Sequence, residues 1–120
     1  MAASHELGRR AEQAAADHLA ERGWTILTAN WRSGHREIDL VVERAGIVAF
    51  VEVKCRAGTR YGPPEAAVTW AKRRDLAAAA RAWIALYGSR GRLFRFDLCA
   101  VRVRPDGGLS VAHLEDAWRL

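Results

Sequence analysis

Glu37–Lys54 reads E-I-D-L-V-V-E-R-A-G-I-V-A-F-V-E-V-K, and this stretch decides the fold. From Glu37 to Glu43 the side chains alternate, Ile38, Leu40 and Val42 to one side and Glu37, Asp39 and Val41 to the other, the period of a strand. Ala45 and Gly46 supply a tight turn into a second run, Ile47 to Lys54, so the two strands are expected to form an antiparallel hairpin. In that run Ile47, Ala49, Val51 and Val53 share one face, and Val48, Phe50, Glu52 and Lys54 share the other. Charge enters only at its end.

Outward from the hairpin the chain divides into further elements. Before it, Leu7, Ala11, Ala14, Ala15 and Leu19 recur at helical spacing from His5 to about Arg22, and Gly23 is a stop signal. Trp24 to Trp31, W-T-I-L-T-A-N-W, is rich in β-branched and aromatic residues and reads as a strand, with Ser33 and Gly34 in the turn that follows. After the hairpin, Ala57 to Pro64 is a Gly/Pro loop centred on Tyr61, leading to an Ala-rich helix from about Glu65 to Tyr87. Val68, Leu76, Ala79, Ala80, Trp83 and Tyr87 mark its buried stripe, and Gly88 and Gly91 end it. Leu93 to Arg104 reads as a long strand, Pro105 to Gly108 as a turn, and Leu109 to His113 as a short final strand. The order is α-β-β-β-α-β-β in a single domain spanning 1–120, since 120 residues suit one hydrophobic core.

Composition narrows the class of protein. Half the residues are hydrophobic and 28% are charged, the balance of a folded domain. No apolar run approaches the roughly 20 residues needed to cross a bilayer, and Met1 to Ser4 lead into charged residues without the apolar core of a signal peptide. A cytoplasmic protein with no membrane association is expected. Cys55 and Cys99 have no metal-site or redox spacing and are read as small buried hydrophobes. The four histidines do not cluster, and no Gly-x-Ser-x-Gly elbow or phosphate-cradling Gly-rich loop is present, which sets a general hydrolase aside.

Charge is distributed unevenly. Residues 1–53 carry six Lys/Arg against eight Asp/Glu, whereas residues 54–104 carry twelve against three, a net of +9. A basic block beside an acidic cluster suits a polyanion binder that also holds metal, the cations gripping phosphates and the carboxylates gripping the ion. A solvated arginine-rich surface is the plain alternative. Arg36, Arg56, Arg60, Lys72, Arg73 and Arg74 are the candidate phosphate contacts, and Tyr61 is a candidate to stack on an unpaired base or simply to pin Pro63 and Pro64.

Asp39 lies thirteen residues before Glu52, and Lys54 follows two later. Hydrolysis of a phosphodiester calls for a hard cation, and carboxylate oxygens are the natural ligands of Mg²⁺ or Mn²⁺. Asp39 and Glu52 are the candidate ligands. Lys54 can orient or deprotonate the attacking water, or stabilise charge on the phosphorane. Surface ion pairs at strand ends are the common rival explanation, but apolar residues precede both acids on strands that look buried, where unpaired charge is costly. Glu37 is a further ligand or a partner for Arg36.

The chain resembles the YraN-like family of small bacterial proteins, which is similar to the PD-(D/E)XK nuclease superfamily and to archaeal Holliday junction resolvases. The match rests on L-G-R-R-A-E at Leu7–Glu12, R-G-W at Arg22–Trp24, N-W-R at Asn30–Arg32, E-I-D-L at Glu37–Leu40, F-V-E-V-K at Phe50–Lys54, Y-G-P-P-E-A-A-V at Tyr61–Val68 and R-F-D at Arg95–Asp97. The resemblance implies an α/β restriction-endonuclease-like three-layer core with a mixed central sheet. It also implies a catalytic set of Glu12, Asp39, Glu52 and Lys54, and a structural Asp97. It further implies a Mg²⁺- or Mn²⁺-dependent endonuclease on DNA, including branched forms, working as a homodimer. Two positions depart from the pattern. Ala11 and Arg36 stand where glycine is usual, and Arg36 would clamp a phosphate or neutralise Glu37 and crowd the acids. The alternative it raises is a non-catalytic nucleic-acid-binding accessory protein with the same fold.

Overall fold

The computed structural model describes residues 2–57, 66 and 68–119. Seven elements follow in the expected order: α1 (Ala2–Glu21), β1 (Thr25–Ser33), β2 (Arg36–Arg44), β3 (Ile47–Ala57), α2 (Trp70–Tyr87), β4 (Leu93–Val103) and β5 (Leu109–Trp118). The five strands form one mixed sheet in chain order, antiparallel throughout except between β3 and β4. A parallel neighbour needs a crossover, which α2 provides. Each face of the sheet is covered by one helix. On one face Leu76, Ala79, Ala80 and Trp83 of α2 pack on Ile38, Val41, Val48, Phe50 and Leu98. On the other, Ala11, Ala15 and Leu19 of α1 pack on Leu40, Val42, Ala49, Val51, Cys99 and Val101. The small residues of α1, every fourth along the helix, let it lie close to the sheet.

Both helix ends follow from their sequence. Gly23, at φ +89, closes α1, with Gly23 N–H bonding to Ala20 O at 3.1 Å and Trp24 N–H to Leu19 O at 3.0 Å. At α2 the helix starts at Trp70 rather than near position 65, because Thr69 is its cap: extended, with Oγ1 accepting the Lys72 N–H at 3.2 Å. Val68 is therefore buried ahead of the helix, not within its stripe. Tyr87, expected in that stripe, is 54% exposed and leans on Trp83, with ring centroids 4.9 Å apart, and edge-on against Trp31 at 6.5 Å. Arg60, Tyr61 and the rest of 58–65 lie outside the described residues.

β5 runs five residues past the expected His113, to Trp118, which stacks on Phe96 with centroids 5.6 Å apart. The register shifts between Phe96 and Leu98, and Asp116 adopts φ +51 there. Asp97 holds this irregularity together. Fully buried, it accepts hydrogen bonds from Arg95 Nε at 2.9 Å and the Asp116 N–H at 2.9 Å, with His113 Nε2 at 2.7 Å. Burial alone would raise its pKa, but these bonds from His113, Arg95 and Asp116 outweigh it and hold the carboxyl below the usual range. Cys99 is buried and its thiol is pushed up to about 12 by burial and then by the Asp97 charge; Cys55 is half-buried. Among the described residues no helix is long and apolar enough to cross a membrane.

Candidate metal centre

The acids meet where the hairpin comes apart. β2 and β3 pair from Arg44–Ile47 up to Leu40–Val51. Beyond that pair, the Asp39 carboxylate takes over as acceptor, its Oδ2 receiving the Val53 N–H at 2.9 Å. β2 stays with β1 instead, through Trp31–Ile38, Arg32–Glu37 and Ser33–Arg36. The simple alternation read along β2 fails here. Ile38 packs with Val41 on the α2 side while Leu40 and Val42 pack on the α1 side, so one step is lost between Ile38 and Leu40. Opposite this step, between the Ala29–Leu40 and Trp31–Ile38 pairs, Asn30 of β1 adopts φ +52, and a register shift between Ile26 and Thr28 lies just beyond, opposite Val42 and Val41. Such bulges bend a strand and re-aim its side chains.

The re-aimed Asp39 joins Glu37 from the same strand and Glu12 from α1. One oxygen from each of these three half-buried acids lies within 4.8 Å of the others. Crowding shows in Glu12, whose pKa is raised by burial and then by the charges of Asp39 and Glu37, against an Asn30 hydrogen bond that lowers it. Glu52 approaches from the Val48–Phe50 face of β3, as its position predicts, and is 3% exposed. Its Oε2 lies 3.5 Å from Lys54 Nζ and 3.9 Å from Lys72 Nζ, whereas its buried Oε1 has no hydrogen-bond partner. Burial first, then the Asp39 charge, push the Glu52 carboxyl up to about 7 against the pull of Lys72 and Lys54. An orphaned carboxylate oxygen in a buried place is costly, and a cation is one of the few partners that satisfies it. The donor set, all hard oxygens, fits Mg²⁺ or Mn²⁺.

The cations divide. Arg36 does not pair with Glu37. Its Nε bonds to Asp75 of α2 at 3.2 Å, and Glu37 is held by Arg32 at 3.0 Å. Lys72 turns towards Glu52. Arg73 turns inward, its Nε donating to Val68 O at 3.0 Å and its guanidinium lying 5.7 Å from the Trp118 ring centre. Arg74 and Arg36 line a groove with Trp70 and Arg81. Arg56 is exposed at the end of β3. A basin of about 450 Å³ opens beside the acids, lined by His5, Arg9, Glu12, Asn30, Arg32 and Glu37. Asn30, Arg32 and Trp70 carried no role in the sequence reading. The N-W-R motif at Asn30–Arg32 was the available signal for the first two; nothing in the local sequence singled out Trp70.

Fold and acids together define a three-layer α/β domain with a candidate divalent-metal centre at the opening of its sheet. The profile of the uncharacterised protein family UPF0102 matches residues 11–101, a span that holds Glu12, Asp39, Glu52, Lys54 and Lys72. The chain belongs to this family. It is 43% identical to a UPF0102 protein of Symbiobacterium thermophilum over 96% of this chain and 98% of that one. It is 44% identical to one of Clavibacter michiganensis over 90% and 91%, and 40% identical to one of Frankia casuarinae over 98% and 100%.

Proposed function

We propose that the chain is a Mg²⁺- or Mn²⁺-dependent endonuclease that hydrolyses phosphodiester bonds in DNA. The observation that carries this reading is the convergence of Glu12, Glu37 and Asp39 within 4.8 Å, beside a buried Glu52 with an unpartnered oxygen. Asp39 and Glu52 would hold the ion, with Glu12 and Glu37 completing the anionic wall. A bound divalent cation would polarise the phosphoryl oxygen and acidify an attacking water. Lys54, 3.5 Å from Glu52, would orient that water or neutralise charge developing on the phosphoryl group. The Val53 N–H bond to its Oδ2 orients the Asp39 carboxylate. The net of +9 over residues 54–104 supports a polyanionic substrate. A homodimer able to cut paired strands is part of the proposal, and sedimentation tests it.

Arg32, already seated on Glu37, favours a second reading, a nucleic-acid-binding accessory protein with an acidic site that does no efficient chemistry. Cleavage separates the two. Purified protein with Mn²⁺ is expected to nick single-stranded or four-way-junction DNA, and Asp39→Asn or Glu52→Ala to lower the rate at least about a hundredfold. Equal rates in the folded variants, or metal-independent binding without cleavage, would leave only the accessory role.

A further inference from the structure

Trp70 opens α2 with 62% of its surface exposed, an unusual place for the largest apolar side chain. Along the same helical face follow Arg74, Ala77, Ala78 and Arg81, at the spacing that stacks side chains in one stripe. Arg36 of β2 forms the facing wall, fixed there by Asp75 at 3.2 Å. The groove between them has a volume of about 730 Å³, an alanine floor, three guanidiniums against one carboxylate, and a flat indole at one end. Both walls adjoin the acid centre along the chain. Arg36 is followed by Glu37, and Trp70 lies two residues before Lys72, whose ammonium reaches Glu52 at 3.9 Å.

We infer that this groove binds single-stranded nucleic acid, with an unpaired base stacked on Trp70 and the phosphates of adjoining nucleotides on Arg74, Arg81 and Arg36. Guanidiniums grip phosphate oxygens in a planar fork. An indole face accepts any base but only an unpaired one. An acidic peptide would satisfy the arginines and leave the exposed ring unused, which is why a strand of nucleotides is the better occupant. The inference rests on the proposed function for its bearing on cleavage, but it concerns binding and needs no metal.

The test uses the full chain in EDTA, with a labelled oligothymidylate and a duplex of equal length followed by anisotropy. Trp70→Ala is expected to weaken single-strand binding roughly 5- to 100-fold and to leave duplex binding within about twofold. Trp70→Phe retains stacking and should stay within about fivefold of the wild type. Arg74→Ala and Arg81→Ala should each reduce the salt slope by about 0.7. Because Trp70 is exposed, these variants should keep the wild-type circular dichroism. Unchanged affinity in Trp70→Ala, or displacement of the oligonucleotide by polyglutamate at equal charge, would overturn the inference. Its failure is distinguishable from that of the metal reading: a Trp70-dependent complex without Mn²⁺-dependent cleavage removes only the latter, and Asp39-dependent cleavage indifferent to Trp70 removes only the former.

Discussion

At Glu52 the needs of folding and of chemistry oppose each other. Its carboxyl is buried beside Asp39, with two ammonium groups too distant to satisfy both oxygens, and its pKa rises from 4.5 to about 7. A folded-state pKa above the unfolded value means that the native chain takes up a proton which the unfolded chain does not. The associated stability is complete below about pH 4.5 and is lost as pH rises through about 7. At about 1.4 kcal/mol per unit, the metal-free protein should forfeit up to roughly 3 kcal/mol across that window. Urea unfolding of the wild type and Glu52→Gln, without metal, at pH 5 and pH 8 measures it: the wild type should lose stability relative to the variant as pH rises. Parallel pH dependences would mean that the burial of this charge has no such consequence. Asp97 shows the opposite solution, a fully buried carboxylate kept charged by Arg95, His113 and a backbone N–H, and it serves the β4–β5 irregularity rather than the acid cluster.

Elements were legible where a repeating pattern is local. The stripe of Ala11, Ala15 and Leu19, the alternation of β3, and the turn at Ala45 and Gly46 each announce their structure within a few residues. What was not legible depends on partners far along the chain. The start of α2 at Trp70 rests on one Thr69 hydroxyl, and β5 continues through Glu115 and Asp116, which break its alternation, because buried Asp97 receives the Asp116 N–H. The β2–β3 turn itself carries a testable imperfection. Ala45 sits at φ +52 and Gly46 at φ +80, a conformation that suits Asn-Gly and penalises a side chain without a compensating hydrogen bond. Ala45→Asn should therefore stabilise the protein by about 1 kcal/mol in urea unfolding. A destabilised variant would show that the turn is not under this strain.

Across the whole molecule, sequence reasoning picked out Asp39, Glu52 and Lys54 because acids at the ends of apolar strands stand out. It placed Glu37, Asp39 and Val41 on one face of β2 by simple alternation, and that alternation does not hold through Asp39. Asp39 leaves the β2–β3 pairing where β1 is itself irregular, and this turns it towards Glu12 and Glu37 as well as Glu52. The ion pairs Arg36–Asp75 and Arg32–Glu37 likewise depend on the assembled sheet. Thus the cation once suspected of crowding the acids belongs to the neighbouring groove.

The central claim is that these acids seat a hard divalent ion. A crystal of the full chain soaked in Mn²⁺ should give an anomalous peak in contact with Asp39 and one or more of Glu12, Glu37 and Glu52, and the peak should vanish in Asp39→Asn. Well-ordered carboxylates with no peak between them, at a Mn²⁺ concentration that occupies other sites in the same crystal, would contradict the account.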